Sequence, residues 1–374
     1  MKIFLNLISV KTGGQIIRAS KFIEKTEKDS SKIELVIVKQ VSVLSNLKNS
    51  SKIKIINIDL GTHFSVLKRF FWENFLMHKL IRINSCNIFL TFSHYLPFKK
   101  IKIPTIVGVS NLAPFSKIAI SEESYFYKIK FWILGKTIIS SSHKASLVLA
   151  LSSTAKDLLI NLGVNKDKIF LNPIGVDSFW KEKSNNEDFL KKYNINKKYF
   201  LYVSHFYRYK NHFRLIRAYA NLSLEIQNKY NLILIGKPMN PSYFNKIKKT
   251  ISDLSLEKNI LLIPGLPRED LRVFYQNCSL FIFPSLVENC PNILLEAMAS
   301  GAPIATVNID PMKEYCLDYA VYFDGTKVES IKNAIIKFIE NNNHQKMQKL
   351  SLKRSKDFSW DTFVNNIIYR INNI

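Results

Sequence analysis

Residues 279–303 read SLFIFPSLVENCPNILLEAMASGAP. Leu280–Phe283 is a short unbroken apolar run, the pattern of a strand buried on both faces. Ile293–Ser300 is rich in helix formers, and Glu296 lies within it. A proline and a polar turn separate the two, and that turn carries Glu288. Asn289 is the expected helix cap, with Pro291 in the first turn, where a missing N–H costs nothing. A helix start of this kind presents free amides and a partial positive charge, which suits phosphate or polar sugar oxygens. On one continuous helix, eight steps of about 100° would leave the two carboxylates some 80° apart. A strand–loop–helix corner instead lets them hold one elongated ligand at two places.

Working outward, the chain alternates short apolar strands with amphipathic helices. Strands are expected at 2–8, 33–38, 53–58, 88–92, 105–109, 147–151 and 169–171. A second series follows at 199–203, 232–235, 260–263, 280–283 and 303–306. Helices fall between them, at 15–27, 66–83, 154–162, 213–219 and 270–276. Such alternation predicts an α/β fold with parallel sheets covered on both faces. Lys181–Lys198 is charged, Asn-rich and poor in β-branched residues, and reads as a linker. The expectation is therefore two doubly wound, Rossmann-like domains facing each other across a cleft. Residues 1–180 form the N-terminal domain and 199–374 the C-terminal one, the last helix being a candidate to cross back. Ligands in such sheets sit at the C-terminal ends of strands.

Length and composition agree, since 374 residues exceed what one core usually supports and 47% apolar residues are ample for two. No apolar run reaches the roughly 18–20 residues of a membrane span. The opening MKIFLNLISVKTGG reads as a first strand rather than a signal peptide. Cys86, Cys278, Cys290 and Cys316 form no CxxC pair, which disfavours zinc or a disulfide framework and fits a reducing cytosol. The formal charge is +25, of which residues 1–180 carry +15 (26 basic against 11 acidic). Between Ser65 and Ala145, 12 basic residues face 3 acidic ones and interleave with Phe70, Phe71, Trp72, Phe75, Tyr125, Phe126, Tyr127, Phe131 and Trp132. An anionic membrane surface is the favoured partner, with Lys68-Arg69 beside Phe70-Phe71-Trp72 as the contact. Lysine-rich composition alone is the bland alternative, and nucleic acid ranks last because no nucleic-acid-binding signature is present.

Carboxylates accept strongly from vicinal hydroxyls, and a nucleotide sugar offers these at both ends with a diphosphate between. PSLVENCPNILLEAMASGAPIA resembles the donor-binding signature of the family-4 (group 1) retaining glycosyltransferases of the GT-B fold, including its Glu-x7-Glu spacing. YVSHFYRYKNHFRLIRAY is similar to that family's strand and basic loop for the donor diphosphate. LILIGK, PGLPREDLRVFYQNCSLFIFPS and FSWDTFVNNI follow in the family's order, and KTGGQ, NLAPF and NPIGVD match its habits in the N-terminal half.

The resemblance implies that Glu288 holds the transferred sugar and Glu296 the ribose. Asn289, Cys290, Pro291 and Asn292 would line the donor, with Lys237 beside it. Lys210 would neutralise the departing diphosphate. The family commonly places an arginine five residues before that lysine; His205 stands there, and Arg208 is the candidate second cation. Gly13, Gly14, Asn111 and His94 are the acceptor-side candidates, with His63 and His94 considered as acid/base groups. Each has a structural alternative. Glu296 could be a helix carboxylate paired with a lysine, Lys210 a surface charge, the glycines a tight turn, Asn111 a loop cap and the histidines structural.

The expected activity is transfer of a sugar from a nucleotide-sugar co-substrate to a saccharide or polyprenyl-linked saccharide, in the making of bacterial surface polysaccharide. Neither a metal nor any other cofactor is expected. The expected location is the cytoplasm, peripherally on the inner face of the membrane. A sugar-nucleotide epimerase or phosphorylase is the nearest alternative, and a basic nucleic-acid-binding protein a remote one.

Overall fold

Strand after strand is an Ile-, Val-, Leu- or Phe-rich run buried on both faces, which is what a parallel sheet with helices on either side demands. The computed structural model describes residues 1–374 except 11–12, 29–31, 62–64, 185–191 and 342–343. His63 and the middle of the expected linker therefore lie outside the described residues.

The first sheet contains β1 (Lys2–Asn6), β2 (Glu34–Gln40), β3 (Ile53–Ile58), β4 (Ile88–Thr91), β5 (Thr105–Val109), β6 (Leu147–Ala150) and β7 (Ile169–Leu171). Their order is β3-β2-β1-β4-β5-β6-β7, with every pair parallel. The second contains β8 (Lys198–Val203), β9 (Tyr230–Ile235), β10 (Ile260–Ile263), β11 (Leu280–Phe283), β12 (Ile304–Val307) and β13 (Ala320–Phe323). It is ordered β10-β9-β8-β11-β12-β13 and is also parallel throughout. Both are doubly wound. The winding reverses between β1 and β4 in one sheet and between β8 and β11 in the other.

Two compact units result, and neither is continuous in sequence. The first comprises Met1–Pro114, Ile129–Gly175 and Trp360–Ile374; the second comprises Phe115–Lys128 and Val176–Ser359. The terminal helix, Trp360–Asn372, completes the first unit by burying Phe363, Val364, Ile367 and Ile371. It packs on the helix Gly14–Lys28, where Lys25 pairs with Asp361 at 2.8 Å. Asn172 donates its side-chain amide to the Phe363 carbonyl at 2.9 Å, and the Phe363 ring meets Phe92.

Three local expectations change. β13 is not foreseen, although Ala320–Phe323 is an apolar run; it is a half-buried strand at the sheet edge. The expected helix 66–83 is two α-helical pieces, Ser65–Phe71 and Met77–Ile83, around a π-turn at Trp72–Leu76. There the Met77 amide reaches back to the Trp72 carbonyl, and the widened turn brings Trp72, Glu73 and Asn74 inside. Helix Asn292–Ala299 takes Pro291 as its N-cap with no side-chain capping bond, so Asn289 is not the cap.

Because Phe363 is fully enclosed in the first unit, Phe363→Ala should cost about 3–5 kcal/mol of that unit's stability. Denaturant unfolding followed by fluorescence should show one early transition in the variant. Unchanged unfolding would mean that the terminal helix is not part of that core.

Candidate active site

Loops leaving β8 and β11 part in opposite directions, which opens the sheet end at the point where ligands of such folds bind. The sequence closes that end tightly around the loop after β8. Ser204 and Phe206 donate their amides to the carbonyls of Ile235 and Lys237, at 2.8 and 3.0 Å. The strands' loops cross so closely at Gly236 that an added Cβ would stand 1.8 Å from the Ser204 carbonyl oxygen, so only glycine fits. His205 Nδ1 accepts the Lys237 amide at 3.3 Å, which leaves the proton of the neutral ring on Nε2. Partial desolvation, and then the charges of Lys210 and Lys237, lower the His205 pKa. At neutral pH it is an uncharged donor.

Arg208–Lys210 forms one turn of 3-10 helix, ended by Asn211 in the left-handed region (φ 65°). Asn211 is buried, and its side-chain amide donates to the carbonyls of Pro284 (3.0 Å) and Gly325 (2.7 Å). Its Oδ1 accepts from Arg214 at 3.0 Å. One residue thus ties together the loops after β8, β11 and β13. Tyr202 bonds the Lys210 carbonyl, and the Leu286 amide bonds the Tyr209 carbonyl at 2.9 Å.

This lacing puts the Lys210 ammonium in direct contact with Glu288 Oε1, both side chains being largely enclosed (15% and 13% exposed). Beyond Glu288, the Leu294 and Leu295 amides both bond Pro291 O. The amides of Asn292 and Ile293, earlier in the turn, have no partner within the helix. Asn292 Oδ1 is buried without a hydrogen bond. Asn289 is buried in the loop, and Cys290 Sγ accepts the Tyr315 hydroxyl at 2.8 Å.

Glu296, further along the helix, accepts the Tyr275 hydroxyl at 3.4 Å. Burial pushes its pKa up to about 8; Arg268 and Tyr275 pull it down, and Asp177 adds to the rise. Arg268 is itself paired with Asp177 at 2.7 Å.

Among the expected donor residues, the structure brings together Lys210 with Glu288 and His205 with Lys237. Arg208 lies elsewhere on its turn, over the Tyr243 ring, in a recess with Glu122 and Arg214. The acceptor-side candidates belong to the first unit. Gly13 has φ +74° with open space around it, and Gly14 starts a helix. Asn111 Oδ1 accepts the Ala113 amide at 2.9 Å, so its side chain shapes its own loop. His94 follows β4; enclosure and then Arg69 lower its pKa to about 4, and Nδ1 has no hydrogen bond.

The first unit also carries a group that the sequence reading overlooks. Glu73 is fully buried in the π-turn, accepts from the Asn6 amide at 3.2 Å and lies 3.5 Å from Arg69 Nε. Burial lifts it to about 7 against the pull of Arg69 and Asn6. A lone glutamate in an aromatic run, with Asn6 closing β1, is the only trace of it in the sequence.

Residues 185–353 match the family described as glycosyl transferases group 1. The O-antigen chain mannosyltransferase B of Escherichia coli is 26% identical over 242 residues, 63% of either chain. The serotype-specific mannosyltransferase WbdA of Escherichia coli is 29% identical over 171 residues, 45% of this chain but 21% of its own. The chain therefore spans under two thirds of the length of these relatives. Sucrose-phosphate synthase from Thermosynechococcus elongatus superposes with a TM-score of 0.79 at 14% identity, covering 99% of this chain and 98% of its own. Anabaena HepE, solved with UDP and glucose, gives 0.77 at 16% over the whole of both chains. These likenesses establish the two-sheet GT-B fold.

The raised pKa of Glu296 has a consequence for stability. Between its ordinary value of 4.5 and about 8, the folded protein keeps a proton that the unfolded chain has released. The stabilisation is full below the lower value and is lost as pH rises through the upper. Glu296→Gln should flatten this part of the profile of melting temperature against pH. Parallel profiles for variant and wild type from pH 5 to pH 8.5 would refute the assignment.

Proposed function

We propose that this chain, whose residues 185–353 match the group 1 glycosyl transferases, moves a hexose from a nucleotide sugar to a saccharide or lipid-linked saccharide in bacterial surface polysaccharide synthesis. The Lys210–Glu288 contact at the β8/β11 divergence carries this reading. It sets a cation for a diphosphate beside an acceptor for sugar hydroxyls. Mannose is the first sugar to test, since the Escherichia coli relatives are mannosyltransferases.

In the proposed reaction Lys210 and the Nε2–H of His205 meet the diphosphate, and the amides of Asn292 and Ile293 add uncharged donors. Glu288 orients the sugar hydroxyls and Glu296 the ribose diol. The bond between the anomeric carbon and the phosphate oxygen breaks, and the acceptor oxygen attacks from the same face. The acceptor proton passes to the leaving phosphate, so configuration is retained without a protein nucleophile. Arg208 is left out of this clamp, because its ring contact is with Tyr243.

The expected outcome is transfer from one member of a panel of nucleoside diphosphate mannoses and glucoses. Glu288→Gln should mainly lower turnover, as one charged hydrogen bond is worth about 1.5–3 kcal/mol. Lys210→Ala should lose more than His205→Ala, since only the lysine is charged at neutral pH. Wild-type rates in both Glu288→Gln and Lys210→Ala would end the proposal.

The first unit is proposed to bind acceptor at an anionic membrane surface, the protein being cytoplasmic and peripheral on the inner face. Among the described residues no helix is long and apolar enough to cross a membrane. Rings are nevertheless held outward. Phe71 and Phe75 stack at 5.9 Å with 60% and 64% exposure, Phe70 meets Phe71, and Phe98 meets Phe70. Buried Asn74 fixes this group by accepting the Phe98 amide at 2.7 Å and donating to the Phe70 carbonyl at 2.8 Å. Lys99, Lys100 and Lys102 follow Phe98, and Lys144 lies over its ring. The contact differs from that expected from sequence, because Trp72 is buried and Arg69 is taken up by Glu73.

Basic residues near an anionic bilayer contribute about 1 kcal/mol each. The protein should sediment with anionic vesicles at low salt, be released by high salt and ignore neutral vesicles. Phe71→Ser with Phe75→Ser should weaken binding, and wild-type sedimentation of that variant would exclude this face.

A further inference from the structure

Arg208 leads to a recess of about 350 Å³ in the second unit that the transfer reaction does not use. It is lined by Arg208, Arg214, Arg217 and Lys246, with the Phe213 and Tyr243 rings as apolar walls. Glu122 also lines it and is occupied by Arg214 at 2.7 Å. Glu123, held beside Tyr209, is the other carboxylate whose charge Arg208 meets. Four cations therefore gather against two carboxylates. Arg217 and Lys246 both lie over the Phe213 ring, at 5.7 and 4.4 Å from its centre. Arg208 Nε is buried and has no hydrogen-bond partner. A buried donor without an acceptor is costly, and like charges gathered round a concavity repel one another. An anion with several acceptor oxygens would relieve both.

The geometry points to a binding site for a phosphate group in this recess, separate from the Lys210–Glu288 centre. A phosphate is small enough for the volume and matches guanidinium donors in charge and shape. It could arrive as free phosphate or on a phosphorylated saccharide, whose ring would lie against Phe213 and Tyr243. Arg208 shares its single turn with Lys210, and Arg214 bonds Asn211, so occupancy would bear directly on the loop that carries Lys210.

Isothermal titration of the full chain with orthophosphate and with mannose 6-phosphate tests the site by binding alone, whatever the outcome for transfer. Both anions should bind wild type and Lys210→Ala alike. Arg217→Gln with Lys246→Gln should weaken binding at least tenfold, and the charge-preserving Arg217→Lys with Lys246→Arg should largely restore it. Tighter binding of the sugar phosphate identifies a phosphorylated saccharide as ligand, and equal binding identifies free phosphate. Absence of binding, loss in Lys210→Ala, or wild-type affinity in the double glutamine variant overturns the site.

Discussion

The second unit depends on a place where two backbones nearly touch. With the Ser204 carbonyl occupying the space of a Gly236 side chain, the loops after β8 and β9 can only run together, and their amides must bond each other. Asn211 extends the constraint to the other side of the divergence. A left-handed asparagine is a mild local cost, and its buried amide repays it by satisfying two carbonyls from separate loops. Lys210, one residue earlier, is left with little freedom. Its contact with Glu288 follows from backbone lacing rather than from attraction between two exposed charges.

That origin matters for the electrostatics. An exposed lysine–glutamate pair contributes little, since solvent screens it and both chains lose freedom in forming it. Here both partners are enclosed and already positioned by their backbones, so the contact needs little further ordering. Glu296 is the contrasting case. It lies where burial outweighs the pull of Arg268 and Tyr275, which favours the protonated form. The two glutamates share a spacing motif but meet different fields.

The fold was largely legible because burial on both sides of a parallel strand leaves an unmistakable apolar run, as at Leu280–Phe283 and Leu232–Ile235. The strand–loop–helix corner was legible for the same reason. β13 was not, since four apolar residues such as Ala320–Phe323 do not by themselves tell a strand from a buried helix segment. Nor was the π-turn, because one extra residue in a helical turn has no composition of its own; only the burial of Glu73 and Asn74 reveals it. The placement of Phe115–Lys128 in the second unit was hidden, for helical periodicity shows that a face is buried but not what covers it, whereas the crossing of the last helix was among the expectations. Asn289 looked like a cap from residue type alone, whereas the cap position is fixed by backbone angles, and Pro291 holds them.

Arg208 shows most plainly where nearness in sequence misleads. Two residues from Lys210, it looked like a natural second cation for one ligand. A 3-10 helix turns about 120° per residue, so positions two apart point about 120° away from each other. Lys210 consequently meets Glu288, while Arg208 meets Tyr243 and the charge of Glu123. Had the turn been a strand, with its alternation of two, both cations would have faced the same way. The left-handed Asn211 closes the turn at that point. The turn that presses Lys210 against Glu288 thereby sends Arg208 to a different surface, over the Tyr243 ring.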